Sequence, residues 1–108
     1  DTLDNIIKNN MIDDPINLIK IDVEGMEIDV LKGSKNTISK NLPHLIIEAH
    51  NQKLLSQINS FLKPYKYQVL GKFCSTPTYH FIIPKKHSIN QKKIDMLLDK
   101  CVYFLNKF

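Results

Sequence analysis

The sequence predicts an α/β protein: two parallel strands with crossover helices, then an antiparallel C-terminal hairpin and a terminal helix. Three observations carry that prediction. The run Leu18-Ile19-Lys20-Ile21-Asp22-Val23 is short, apolar and β-branched, which suits a buried strand, and it breaks into Glu24-Gly25 before helical spacing resumes. A second run, Leu45-Ile46-Ile47-Glu48-Ala49-His50, follows after one helix length and also ends in polar groups. Two further strand-like runs, 67–73 and 79–83, are separated by a segment short enough for a hairpin.

Taken in order, Thr2 suits a helix N-cap, with Leu3, Ile6, Ile7 and Met11 as an apolar stripe behind it. Asp13-Asp14-Pro15 stops that helix, because proline disfavours helical geometry in the residue before it. Strand one is expected over 17–23. Met26, Val30, Leu31, Ser34 and Ile38 then recur at helical spacing, with Gly33 inside the segment. That glycine either ends a two-turn helix or lets the helix approach the sheet closely. Residues 41–43 break the segment, and strand two follows over 44–50. Leu54, Leu55, Ile58, Phe61 and Leu62 mark an amphipathic helix over 52–62, ended by Lys63-Pro64. After the hairpin and Pro84, the tail carries Ile94, Leu97, Leu98, Cys101, Val102 and Leu105. It reads as a helical extension over 88–108 of a single domain, 1–108, packing on the sheet or on a partner.

With 43% apolar and 24% charged residues, the 108-residue chain has an ordinary globular composition and room for a modest core. No stretch approaches the about 18–20 continuous apolar residues of a membrane span, and the start resembles no signal peptide. The start also lacks an initiator methionine, so the chain reads as a piece of something longer. The net charge of +4 does not argue for nucleic acid: all fifteen basic residues are lysines, scattered from Lys8 to Lys107, and arginine, the preferred group for phosphate and base edges, is absent. Cys74 and Cys101 form neither a metal pattern nor a disulfide framework, which suits a reduced, cytoplasmic protein.

Chemistry concentrates at the strand ends. Asp22 and Glu24 lie two apart, roughly 6.5–7 Å between α-carbons if the strand continues through both, and diverging if it ends earlier. They suit proton acceptance from a hydroxyl or its alignment, the plainer reading being the stabilisation of the next helix's positive N-terminus. Gly25 allows a tight turn or a ligand close to the backbone. Glu27 and Asp29 read as solvated acids of the first helical turn. Glu48 and His50 share a face of strand two, where they orient a base, bind substrate or simply meet water. His44 lies at that strand's other end. His44, His80 and His87 have no metal-ligand spacing, and no metal is expected. Tyr65, Tyr67, Tyr79 and Phe81 read as hairpin core and edge.

Residues 18–27, then Val30-Leu31-Lys32-Gly33, Pro43 and Ile46-Ile47-Glu48, with Thr2-Leu3-Asp4 ahead of them, resemble the C-terminal half of the FkbM-type methyltransferases, over roughly residues 2–84. The resemblance implies a partial Rossmann-like class I methyltransferase sheet and S-adenosyl-L-methionine as cofactor. It implies methyl transfer to a hydroxyl of a sugar, glycan or natural product. Asp22 and Glu24 would be catalytic, with Gly25, Glu48 and His50 on the acceptor side. The strands would be the fourth to seventh of that sheet. Its first strand, with the glycine-rich cofactor turn, is not here: the three glycines are Gly25, Gly33 and Gly71. Strand one should then present an open edge, a liability that proteins normally cover. The expected partners are a small-molecule or glycan acceptor and, for the edge, the missing half or a second copy, with no nucleic acid and no membrane. The alternative is a non-catalytic remnant or interaction module that associates through that edge.

Overall fold

A computed structural model describes residues 1–73, 77–87 and 102–106. It contains helices α1 (Leu3–Asn9), α2 (Glu27–Lys32), α3 (Lys35–Asn41) and α4 (Gln52–Leu62), a 3-10 turn (Lys63–Tyr65), and strands β1 (Leu18–Asp22), β2 (His44–Glu48), β3 (Gln68–Phe73), β4 (Thr78–Ile82) and β5 (Val102–Asn106). The strands form one mixed sheet in the order β3-β4-β2-β1-β5. β1 runs parallel to both β2 and β5, whereas β4 is antiparallel to β2 and β3. The expected α/β architecture, with its parallel unit and antiparallel hairpin, is present. Gly71 lies beside an irregularity in the β3–β4 register, between Val69 and Gly71.

Alternation divides the sheet into two faces. Ile19 and Ile21 of β1, Leu45 and Ile47 of β2, and Tyr79 and Phe81 of β4 share one face and one core with Leu3 of α1, Leu31 of α2, Ile38 of α3, and Ile58 and Leu62 of α4. Each fully buried aliphatic side chain there contributes about 1.5–3 kcal/mol. The other face reads Leu18, Lys20, Asp22 along β1 and His44, Ile46, Glu48 along β2. Tyr67, Tyr79 and Phe81 are core residues, as expected, and Tyr65 packs partly buried against that core.

The Thr-Leu-Asp segment has three separate duties. Thr2 Oγ1 accepts the Asn5 amide and caps α1, and Leu3 enters the core. Asp4 caps a different helix, accepting the amides of Asn36 and Thr37 at 3.0 and 2.9 Å and the Thr37 hydroxyl at 2.6 Å. α3 needs that help because Ser34, its N-cap, spends its own hydroxyl on the Val30 carbonyl. Gly33 ends α2, and a β-carbon there would lie 2.9 Å from Thr2, so the close approach is to the start of α1 rather than to the sheet. Met11 does not join the α1 stripe: the helix ends earlier, and Met11 sits in a left-handed turn, 85% exposed.

The tail departs from expectation. Val102–Asn106 is a strand, not part of a terminal helix, and it lies along β1 from Leu18↔Val102 to Asp22↔Asn106. The edge expected to stand open is therefore paired. The physical reason is the liability itself: an unpaired β-branched run recruits backbone partners, and Val-Tyr-Phe-Leu supplies a strand-competent one. The remainder of the expected 88–108 helix, together with Cys74 and Cys101, lies outside the described residues. Among the described residues no helix is long and apolar enough to cross a membrane.

Candidate functional site

The parallel strands β1 and β2 end side by side, and their last residues, Asp22 and Glu48, point to the same face. The region beyond the carboxyl ends of parallel strands is where open α/β sheets place ligands. Beyond Asp22 the chain does not continue as strand. Glu24 and Gly25 take φ values of +43° and +95°, so the strand alternation that would have put Asp22 and Glu24 on one side is lost after Asp22. Glu24 and Gly25 are both exposed. A β-carbon on Gly25 would meet nothing within 4 Å, so glycine is required here by the backbone angle rather than by crowding.

Glu48 is held from three directions. Its neighbour Ala49 donates its amide to Pro77 O at 2.8 Å, fixing the strand end against the hairpin. Asn51 caps α4 by accepting the Leu54 amide, which anchors the chain just past His50. His50 Nε2 lies 2.6 Å from Glu48 Oε1, with Glu48 mostly shielded and His50 about half exposed. Burial raises the Glu48 carboxyl above its ordinary value. The Asp22 carboxylate adds to the rise by charge and hydrogen bonding, and Glu24 adds a little by charge; His50 opposes it. The structure thus brings Asp22, Glu24 and His50 within electrostatic reach of Glu48. An acid with raised affinity for a proton can accept one from a neutral hydroxyl, and its half-exposed imidazole neighbour connects it to water.

Glu27 overturns its expectation. Instead of a solvated acid it is completely buried, and both its carboxylate oxygens accept the Gly25 amide, at 2.9 and 3.0 Å. The signal that points to it is the unsuitable N-cap: Met26 has no side-chain oxygen with which to cap α2, so an acid just inside the helix turns back over the turn. Asp29, by contrast, is exposed as expected.

The remaining histidines gather elsewhere. His44 Nδ1 lies 3.0 Å from His80 Nε2, and the rings of His44 and His87 are 4.0 Å apart between centroids. The Ile83 amide donates to His87 Nδ1, so His87 carries its proton on Nε2 and gives it to Leu42 O at 2.8 Å. Among the described residues no group of three or more histidine, cysteine or carboxylate side chains is placed to hold a metal ion. A cleft of about 630 Å³ between α1 and α3, lined in part by Asp4, Lys8, Asn36 and Lys40, includes none of the strand-end acids.

Comparison with known proteins adds one positive finding. The family model described as the methyltransferase FkbM domain matches residues 1–69, from the start of α1 into β3. No curated protein and no solved structure matches the chain. The matched span covers well over half of the 108 residues and holds the whole acidic strand-end cluster, so the chain belongs to the FkbM methyltransferase domain family.

Proposed function

We propose that this chain supplies the acceptor side of an S-adenosyl-L-methionine-dependent methyltransferase acting on a hydroxyl of a small molecule or glycan. The observation that carries the reading is that Asp22 and Glu48 end two parallel strands side by side, with His50 against Glu48 and Glu24 near enough to act on Glu48 by charge. In this reading Asp22 and Glu24 take up or align the hydroxyl proton, positioning being as important as basicity. Glu48 and His50 bind the acceptor, and Gly25 leaves the backbone approachable. The concentration of negative charge favours a neutral acceptor over an anionic one.

Among the described residues no glycine-rich turn builds a cradle for the cofactor. A glycine-rich turn feeding a helix N-terminus is the usual solution for close backbone approach to a nucleotide-like group. Here Gly33 is packed against Thr2 and Gly71 lies within β3. In this reading the cofactor is held by residues outside these 108, and the chain is the C-terminal half of the catalytic domain. β5 occupies the edge of β1. That removes support from an interaction module docking there, and in this reading a cofactor-binding half that pairs with β1 takes the place of β5.

The test is made on a protein that contains this segment together with a cofactor-binding half. Asp22→Ala and Glu24→Ala are expected to lower turnover, by roughly 10²–10⁴-fold for whichever acid takes the proton, while circular dichroism and melting remain those of a folded protein. Unchanged rates in both variants would remove the assigned roles.

A further inference from the structure

The turn that leaves β1 is held in an expensive conformation. Glu24, a residue with a β-carbon, sits at φ +43°, and Gly25 follows at +95°. A left-handed conformation costs a non-glycine residue about 1–2 kcal/mol, so neighbouring structure must dictate it. Three features surround the turn: the strand end at Asp22, the first turn of α2 with its Val30 amide on Met26 O, and the Glu27 carboxylate. Only Glu27 among these grips the turn by a side chain. Its bond runs from residue 27 back to the amide of residue 25, closing a small ring around Met26. A carboxylate with no exposed surface is costly unless charge-assisted hydrogen bonds compensate, and both its oxygens are committed to that single amide.

We propose that Glu27 is a positioning residue of the acceptor side: its clamp on the Gly25 amide selects the left-handed turn and so fixes where Glu24 stands relative to Asp22 and Glu48. The inference rests on the reading of this end of the sheet as the acceptor side. Glu27 faces away from solvent and does not touch an acceptor itself; it acts through the backbone of residues 24–26. The position of Glu24 can be followed from a distance, because its charge contributes to the raised proton affinity of Glu48.

The experiment compares Glu27→Gln, Glu27→Asp and Glu27→Ala in the 108-residue chain. It follows amide exchange at Gly25, the NMR titration of the Glu48 carboxyl, and thermal melting. Glutamine keeps an acceptor oxygen at the same reach, so Gly25 protection and the Glu48 titration should stay close to those of the parent chain. Aspartate is one methylene short and alanine has no acceptor. In both, exchange at Gly25 should accelerate about tenfold or more, the loss of one hydrogen bond, and Glu48 should titrate at lower pH as Glu24 moves away. If the aspartate variant melts earlier yet leaves Gly25 exchange and the Glu48 titration unchanged, Glu27 is only a packing residue and the proposal falls. Should the alanine variant fail to fold, the glutamine–aspartate pair still decides, since equal behaviour of those two overturns the clamp. None of these readouts involves methyl transfer. An inactive complete enzyme would therefore sink the acceptor-side reading without touching the clamp, and a failed clamp leaves that reading intact.

Discussion

One face of β2 carries two polar clusters that could hardly be treated more differently. At its carboxyl end Glu48 meets Asp22, Glu24 and His50, acids gathered with one imidazole between them and water. At its amino end His44 meets His80 and His87 in a buried cluster where hydrogen bonds tie one loop to another. There Lys86 Nζ donates to the carbonyls of Asn41 and Leu42, His87 Nε2 donates to Leu42 O, and the Tyr67 hydroxyl donates to Pro43 O. Three successive carbonyls at the end of α3 are thus satisfied by side chains from distant segments. Burial holds the Tyr67 phenol well above its ordinary value and pulls the Lys86 ammonium below its own. The lesson is that burial and satisfaction mark groups that serve the fold. Like charges left crowded near the surface mark groups held for something else.

Acid should strike the amino end hardest. Burial, with the nearby His87 adding to it, pushes His80 down to about 4, whereas in the unfolded chain it titrates near 6.5. The unfolded state therefore binds more protons between these values, and stability falls as pH drops from about 6.5 to about 4, then levels off. The expected loss is of order 2–3 kcal/mol, read by urea unfolding across that range. A flat profile there would show that the histidine cluster is not buried as described. Next in size, Tyr67→Phe leaves Pro43 O without its donor in a buried setting and should cost about 1–2 kcal/mol by the same unfolding measurement. A neutral result would mean that the loop carbonyl finds another partner.

At the carboxyl end the smallest effect has the opposite sign. A carboxyl with raised proton affinity costs stability as pH rises from the ordinary carboxylate range through its folded value. Glu48→Gln should accordingly stabilise the chain slightly at neutral pH, by less than about 1 kcal/mol, and the gain should vanish below pH about 4. Destabilisation at neutral pH would mean that the His50 contact outweighs crowding by burial and by Asp22, and the contrast between the two ends would narrow.

Much of this was legible from residues alone. The β-branched runs at Leu18 and Leu45 are strands, the 52–62 stripe is α4 to the residue, and the short hairpin spacing correctly implies antiparallel pairing. What escaped has physical causes. Val102 and Leu105 fit a 3.6-residue stripe with Leu97, Leu98 and Cys101 as well as they fit a strand, and short apolar runs do not discriminate between the two. The meeting of His44 with His80 depends on the β2–β4 register, which places His80 opposite Ile46 on the same face, and no local spacing encodes that. Glu27 looked like any first-turn acid because its burial comes from bending backwards over two residues, a geometry that helical periodicity does not express.

The pairing of β1 with β5 joins residues 84 positions apart, Leu18 with Val102, in a parallel ladder. Such a ladder rewards the chain only after a long loop has closed, so β1 waits with one edge unpaired while the local helices and the β3–β4 hairpin form. Its β-branched run is then a template for a neighbouring molecule's strand, and association competes with folding in proportion to concentration. Refolding yield should fall as the protein is concentrated, and β1, paired on both sides in the folded sheet, would carry no trace of that hazard.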